Sequence, residues 1–97
     1  MSGQLGVLDG ALVHGGVHAE VTQALANMAA LLEAEGASLT SVVKTTVYLT
    51  HMSDYAPMNE AYMAAFGDHR PARAAVAVAG LPLSAKVEIE AWAYLPQ

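Results

Sequence analysis

Arg70-Pro71-Ala72-Arg73-Ala74-Ala75-Val76-Ala77-Val78-Ala79 and Lys86-Val87-Glu88-Ile89-Glu90-Ala91-Trp92-Ala93-Tyr94-Leu95 are the two runs whose reading decides the fold. Both are rich in β-branched, aromatic and alanine residues, and Gly80-Leu81-Pro82-Leu83-Ser84-Ala85 separates them like a turn, so they read as a strand pair. With Ala79 and Lys86 flanking the turn, antiparallel pairing sets Ala75 opposite Glu90, Ala77 opposite Glu88 and Arg73 opposite Trp92. Directly paired residues share a face. The expected face therefore holds Arg73, Ala75, Ala77, Glu88, Glu90 and Trp92, while Ala74, Val76, Val78, Val87 and Ile89 turn towards the helices. A slip of one residue would send the charges into the core, which is costly.

Upstream of this pair, residues 41–50 read as a further strand rich in Val, Thr and Tyr. Val43, Val47 and Leu49 are expected to point one way, and Lys44, Thr46 and Tyr48 the other. A helix is expected over residues 18–35, where Val17, Val21, Leu25, Met28 and Leu32 recur at spacings of three and four, with Gly36 as its C-terminal stop. A second helix runs to about Phe66, capped by Ser53 or Asp54, with Pro57 in its first turn and a stripe of Tyr55, Met58, Tyr62 and Phe66. Residues 2–16 read as turns around a short strand at Ala11-Leu12-Val13. The order strand, helix, strand, helix, strand, strand predicts an α+β domain with both helices on one face of a sheet.

The 97 residues fit one domain, and 55% of them are hydrophobic against 13% charged. That is few charges for a monomer surface, so part of the apolar excess is expected to meet other subunits. The net charge is −5, with only Lys44, Arg70, Arg73 and Lys86 as fixed cations. No basic stripe exists to replace counterions on a nucleic acid. The absence of cysteine excludes disulfides and thiolate chemistry. No apolar run approaches a membrane span and no basic-then-apolar leader opens the chain, so the expected location is cytoplasmic.

The expected charged face is unusual because its arginine is surrounded by alanines, which leave room for a close approach. In the plain structural reading, Arg73 pairs with Glu90 diagonally across the hairpin. In the functional reading, its guanidinium grips a carboxylate and a desolvated glutamate activates water. Glu88 lies further along the strand than Glu90, so a Glu88 that works with Arg73 would come from a neighbouring subunit.

Seven ordered segments carry a resemblance to the RidA/YjgF family of reactive-intermediate deaminases. They are Ser-Gly-Gln-Leu-Gly at 2–6, Gln-Ala-Leu-Ala-Asn at 23–27, Glu-Gly-Ala-Ser-Leu at 35–39 and Val-Val-Lys-Thr-Thr-Val-Tyr-Leu-Thr at 42–50, then Met-Ser-Asp-Tyr with Met-Asn-Glu-Ala-Tyr at 52–62, Arg-Pro-Ala-Arg at 70–73 and Val-Glu-Ile-Glu-Ala at 87–91. The resemblance implies a fold like the trimeric bacterial chorismate mutases, with a mixed sheet, two helices on one face, and sites in the clefts of a homotrimer. It implies cofactor-free hydrolysis of small 2-imino and 2-enamino acids to 2-oxo acids and ammonia. By the same resemblance Arg73 anchors the substrate carboxylate, Glu88 handles water, Asn59 lies at the cleft, and Gly3 lends backbone near the ligand. Family chains usually begin further upstream, with a strand pair that supplies a tyrosine; here the expectation is a single domain over 1–97 lacking most of that hairpin, with a more open site. Ala75 also stands where some members carry cysteine.

A non-catalytic trimeric module that binds small carboxylates or a protein partner is the alternative. A chorismate mutase rests on shared architecture alone, and that reaction needs several cations around a dianion. A ribonuclease is disfavoured by the acidic charge. His14 and His18 have a spacing that suits a metal only on a helix, and Gly15-Gly16 interrupts it, so no metal is expected. His51 and His69 read as surface or capping residues, and Tyr55, Tyr62 and Phe66 as helix packing, with a pocket wall as the alternative. Ser2 lacks a visible His–Asp relay and reads as no nucleophile.

Overall fold

A computed structural model describes residues 3–95. In chain order its elements are β1 (Val7–Leu8), β2 (Ala11–Leu12), α1 (Gly16–Ala34), β3 (Val42–Leu49), α2 (Tyr55–Phe66), β4 (Ala72–Ala77) and β5 (Val87–Ala93), with single 3-10 turns before β3, α2 and β5. The α+β expectation holds: two helices pack on a mixed sheet, β4 parallel and β5 antiparallel to β3.

The helical stripe of α1 forms as its spacing predicts. Val17, Val21, Leu25, Met28 and Leu32 are all buried, against Met58, Tyr62 and Phe66 from α2 and Val47, Leu49, Val87 and Ile89 from the sheet. Removing a side chain such as Met58 from this core would cost about 2–5 kcal/mol. Gly36 ends α1 in the left-handed region at φ 77°, as expected. Its N–H donates to Glu33 O and that of Ala37 to Leu32 O, a Schellman stop in which glycine avoids the Cβ penalty. Asp54 stands at the start of α2 but makes no side-chain cap, because the 3-10 turn Met52–Asp54 already leads into the helix.

The expected hairpin does not form. The strand order is β4-β3-β5, so β3 lies between the two strands that the sequence places side by side. Three rows face the helices: Arg73–Thr45–Ala91, Ala75–Val47–Ile89 and Ala77–Leu49–Val87. Three rows form the open face: Ala72–Lys44–Trp92, Ala74–Thr46–Glu90 and Val76–Tyr48–Glu88. Arg73 therefore lies on the opposite face from Glu88, Glu90 and Trp92, and Val76 on the opposite face from Val87 and Ile89. The physical reason is that each strand pairs with β3 rather than with its neighbour in sequence, which sets its facing independently. Val43 is a second correction. A bulge between Val42 and Lys44 leaves it 56% exposed, whereas Val42 is fully buried.

Gln4 extends the sheet along the outer side of β5: its N–H donates to Ile89 O at 2.7 Å and its carbonyl accepts from Ile89 N at 2.9 Å. Asn27 of α1 clamps the same segment, donating to Val7 O at 2.8 Å and accepting from Gln23 Nε2 at 2.9 Å. This gives the Gln23–Asn27 motif a structural role. Among the described residues no helix is long and apolar enough to cross a membrane.

Candidate functional site

Arg73 enters the site from the first row of β4, beside Thr45 on β3, and reaches the start of α2. Its Nη1 donates to Asn59 Oδ1 at 2.7 Å and its Nη2 to Tyr55 Oη at 2.7 Å. The guanidinium carbon lies 4.7 Å from the Tyr62 ring centre and 5.6 Å from that of Tyr55. Tyr55, Asn59 and Tyr62 follow a helical spacing of four and three, which lines them along one face of α2 towards the sheet.

Two of the five guanidinium N–H groups are thus held by neutral acceptors. Among the described residues no carboxylate lies within salt-bridge distance of Arg73; the contact of that kind that does occur, His18 Nε2 to Glu60 Oε1 at 3.7 Å, does not involve it. The expected Arg73–Glu90 pairing is therefore corrected, since the two side chains leave opposite sides of the sheet. A half-buried cation without an anion, ringed by aromatic faces and an amide, is suited to receive one.

Tyr62 supports this arrangement from below. It is buried, and its hydroxyl shares a 2.7 Å hydrogen bond with the fully buried Thr45 Oγ1. Burial pushes its phenol above the ordinary range of about 10, while the Thr45 bond and the nearby Arg73 and Arg70 charges pull it back in part.

Glu88 forms a second, separate group. On β5 it turns to the open face in the row of Tyr48 and Val76. Its carboxylate lies against the backbone of Gly3, where any Cβ would overlap Glu88 Oε2. The predicted residues thus fall into two pairs, Arg73 with Asn59 and Glu88 with Gly3, and one chain does not bring the pairs together. An open groove of about 520 Å³ between the N-terminal segment and α1 contains Gly3, Leu5, Asn27 and Leu31, but neither Arg73 nor Glu88 lines it. It shares only Gly3 with the predicted set, and the side chains that carry charge mark the site better than the groove does.

Other candidates resolve differently. Tyr55 and Tyr62, read from sequence as packing, hold the guanidinium; a stripe of polar-tipped aromatics around Asn59 was the available signal. His69 is neither surface nor cap. Its Nε2 lies 2.6 Å from Val42 O, and because a carbonyl can only accept, that nitrogen carries the proton and ties the chain after α2 to the start of β3. His51 is exposed, with Nδ1 3.3 Å from Thr50 Oγ1. Among the described residues no cluster of three metal-ligating side chains occurs. Ser2 lies outside the described residues.

Comparison with known proteins gives the site its context. Residues 1–95 match the family described as Endoribonuclease L-PSP. The chain is 49% identical over 85 residues to a RutC family protein of Pyrococcus horikoshii, covering 88% of this chain and 68% of that protein. It is 48% identical over 93 residues to human 2-iminobutanoate/2-iminopropanoate deaminase, covering 94% of this chain and 68% of the enzyme. Among solved structures, RidA from an Antarctic Psychrobacter superposes with a TM-score of 0.92 at 45% identity, over 97% of this chain and 77% of that one. The chain belongs to this family, the RidA/YjgF family that its motifs resemble.

Proposed function

We propose that the protein hydrolyses small 2-imino and 2-enamino acids to 2-oxo acids and ammonia, without a cofactor, at sites formed between copies of the chain. The observation that carries this reading is the state of Arg73. Its guanidinium is oriented by Asn59 and Tyr55, flanked by Tyr62, and has no carboxylate partner among the described residues. A substrate carboxylate completes it, in a charge-assisted bond roughly twice as strong as a neutral one.

A 2-enamino acid first takes a proton at C3 to become its iminium tautomer, and the chemistry then needs a water and a proton carrier at the C=N carbon. Glu88 takes a proton from water as its oxygen bonds to that carbon, and the nitrogen is protonated. Collapse of the resulting carbinolamine breaks the C–N bond, releases ammonia and leaves the 2-oxo acid. Because Arg73 and Glu88 leave opposite faces of one sheet, the Glu88 that serves a given Arg73 belongs to a neighbouring copy, in keeping with a homotrimer. The open face supports such association: it presents Trp92 at 62% and Val76 at 41% exposure, more than a solvated sheet face usually shows. The chain's four fixed cations against nine carboxylates argue against an RNA substrate.

The test couples the protein to a dehydratase that makes 2-aminoacrylate from serine. Faster pyruvate release, lost in Arg73→Ala, is the expected result. Unchanged release by the native protein, or an Arg73→Ala variant as active as the native one, would overturn the reading. Binding of pyruvate without any acceleration would instead favour a non-catalytic carboxylate-binding module.

A further inference from the structure

We propose that Tyr55 is a substrate ligand that sets the preference of this site for a carboxylate over a neutral group. The inference rests on the imine-deaminase reading and extends it to a residue to which the resemblance assigns no role. Tyr55 opens α2 and is 37% exposed, whereas the next members of its stripe, Met58 and Tyr62, are buried. Its hydroxyl stays at the rim of the site and accepts from Arg73 Nη2 at 2.7 Å.

A phenol hydroxyl has one proton to donate as well as lone pairs to accept with. A guanidinium only donates, so in this bond the Tyr55 oxygen is the acceptor and its own proton is directed elsewhere. Among the described residues that proton meets no acceptor. The same holds for the Asn59 amide: its oxygen is taken by Arg73 Nη1, and its N–H groups have no partner there. Arg73 is thus flanked on both sides by groups whose acceptors face the cation and whose donors remain available. An occupant rich in lone pairs and poor in protons satisfies every one of these donors. A carboxylate does so; an amide, which brings N–H groups of its own, leaves at least one donor opposed to a donor. One carboxylate oxygen is placed to accept from both Arg73 and Tyr55, and unpaired polar groups are what reject the wrong ligand in such a site.

Calorimetric titration of the full chain with pyruvate and with pyruvamide, its uncharged isostere, tests this. The native protein is expected to prefer pyruvate. Tyr55→Phe, which keeps the ring and loses only the hydroxyl, is expected to weaken pyruvate binding roughly tenfold, the loss of one hydrogen bond to a charged group. Pyruvamide binding should change much less, so the selectivity ratio falls. Equal weakening of both ligands would mean that the hydroxyl only shapes the start of α2, and would overturn the proposal. Unaltered pyruvate binding by Tyr55→Phe together with its loss in Arg73→Gln would also overturn it, while leaving the deaminase reading intact. Equal binding of the two ligands by the native protein would overturn both. A pyruvate-bound crystal structure gives a second readout: a carboxylate oxygen within about 3.0 Å of Tyr55 Oη supports the assignment, and one beyond hydrogen-bonding range refutes it.

Discussion

The carboxylate of Glu88 rests against the backbone of Gly3, on the side where any larger residue would carry its Cβ. The overlapping atoms belong to the far end of a flexible side chain, so a methyl group at position 3 displaces the carboxylate rather than the fold. Gly3→Ala is therefore expected to lower kcat in the dehydratase-coupled assay by tenfold or more, in line with the roughly 10²–10⁴-fold value of a positioned proton carrier. Thermal unfolding should stay within about 2 °C of the native protein. Full activity in Gly3→Ala would show that the position of Glu88 does not matter to turnover.

Arg73 and Glu88 emerge from opposite faces of one sheet, which makes a mixing experiment informative. Arg73→Ala and Glu88→Ala are each expected to be inactive. Refolded together as mixed oligomers, a site that takes one residue from each of two copies has both residues intact in about one case in four. Recovery near a quarter of native activity is the expected result. A mixture as inactive as its parents would show that each site draws both residues from one chain.

The sheet topology was less legible than its elements, for a reason visible in particular residues. The stripe Val17, Val21, Leu25, Met28 and Leu32 could be read because a helix buries one side and its period is local. The pairing of β4 with β5 could not, because Ala72–Ala77 has small residues on both faces and offers no sharp contrast between inside and outside. Only one charge marks that strand, and Arg73 sits on the helix side, at the end of the sheet where Tyr55 and Asn59 reach it. The assumed hairpin register placed it on the face of Glu88 and Glu90. Parallel pairing with β3, made through the intervening helix α2, leaves no trace in nearest-neighbour spacing. Arg73 and the two glutamates stood out as charges on small-residue strands, but the choice of Glu88 and the addition of Asn59 and Gly3 came from motif resemblance, which carries residues but no geometry. Tyr55 was left between packing and a pocket wall because an aromatic residue on an apolar helical stripe shows no polar role until its hydroxyl is seen to bond.

The loop between β4 and β5 carries local strain. Leu83 at φ 59° and Ser84 at φ 56° are consecutive non-glycine residues in the left-handed region, which costs an L-residue about 1–2 kcal/mol. Ser84 is exposed and makes no burial contribution there. Ser84→Gly removes the Cβ conflict but gives the unfolded chain more freedom, so the net gain is smaller, about 0.5–1 kcal/mol. The urea midpoint should rise with the slope unchanged. A midpoint that falls would mean that serine at this position is not strained.

Tyr62 links stability to alkaline pH. Burial raises its folded-state phenol above the unfolded value of about 10, so the folded chain holds this proton more tightly than the unfolded one. Its contribution is fully present below pH about 10 and is lost as pH climbs from there through the raised folded value. A chemical-denaturation series from pH 8 to 11 should therefore show stability falling above about pH 10. Tyr62→Phe removes the titrating group and should flatten that part of the profile. It also leaves the buried Thr45 hydroxyl without its 2.7 Å partner, so its stability at pH 8 should be lower by about 1–3 kcal/mol. The double variant Tyr62→Phe with Thr45→Val replaces both hydroxyls by apolar groups of similar shape and should recover much of that loss while keeping the flat profile. A Tyr62→Phe protein that loses stability above pH 10 as steeply as the native one would assign the alkaline transition to another group.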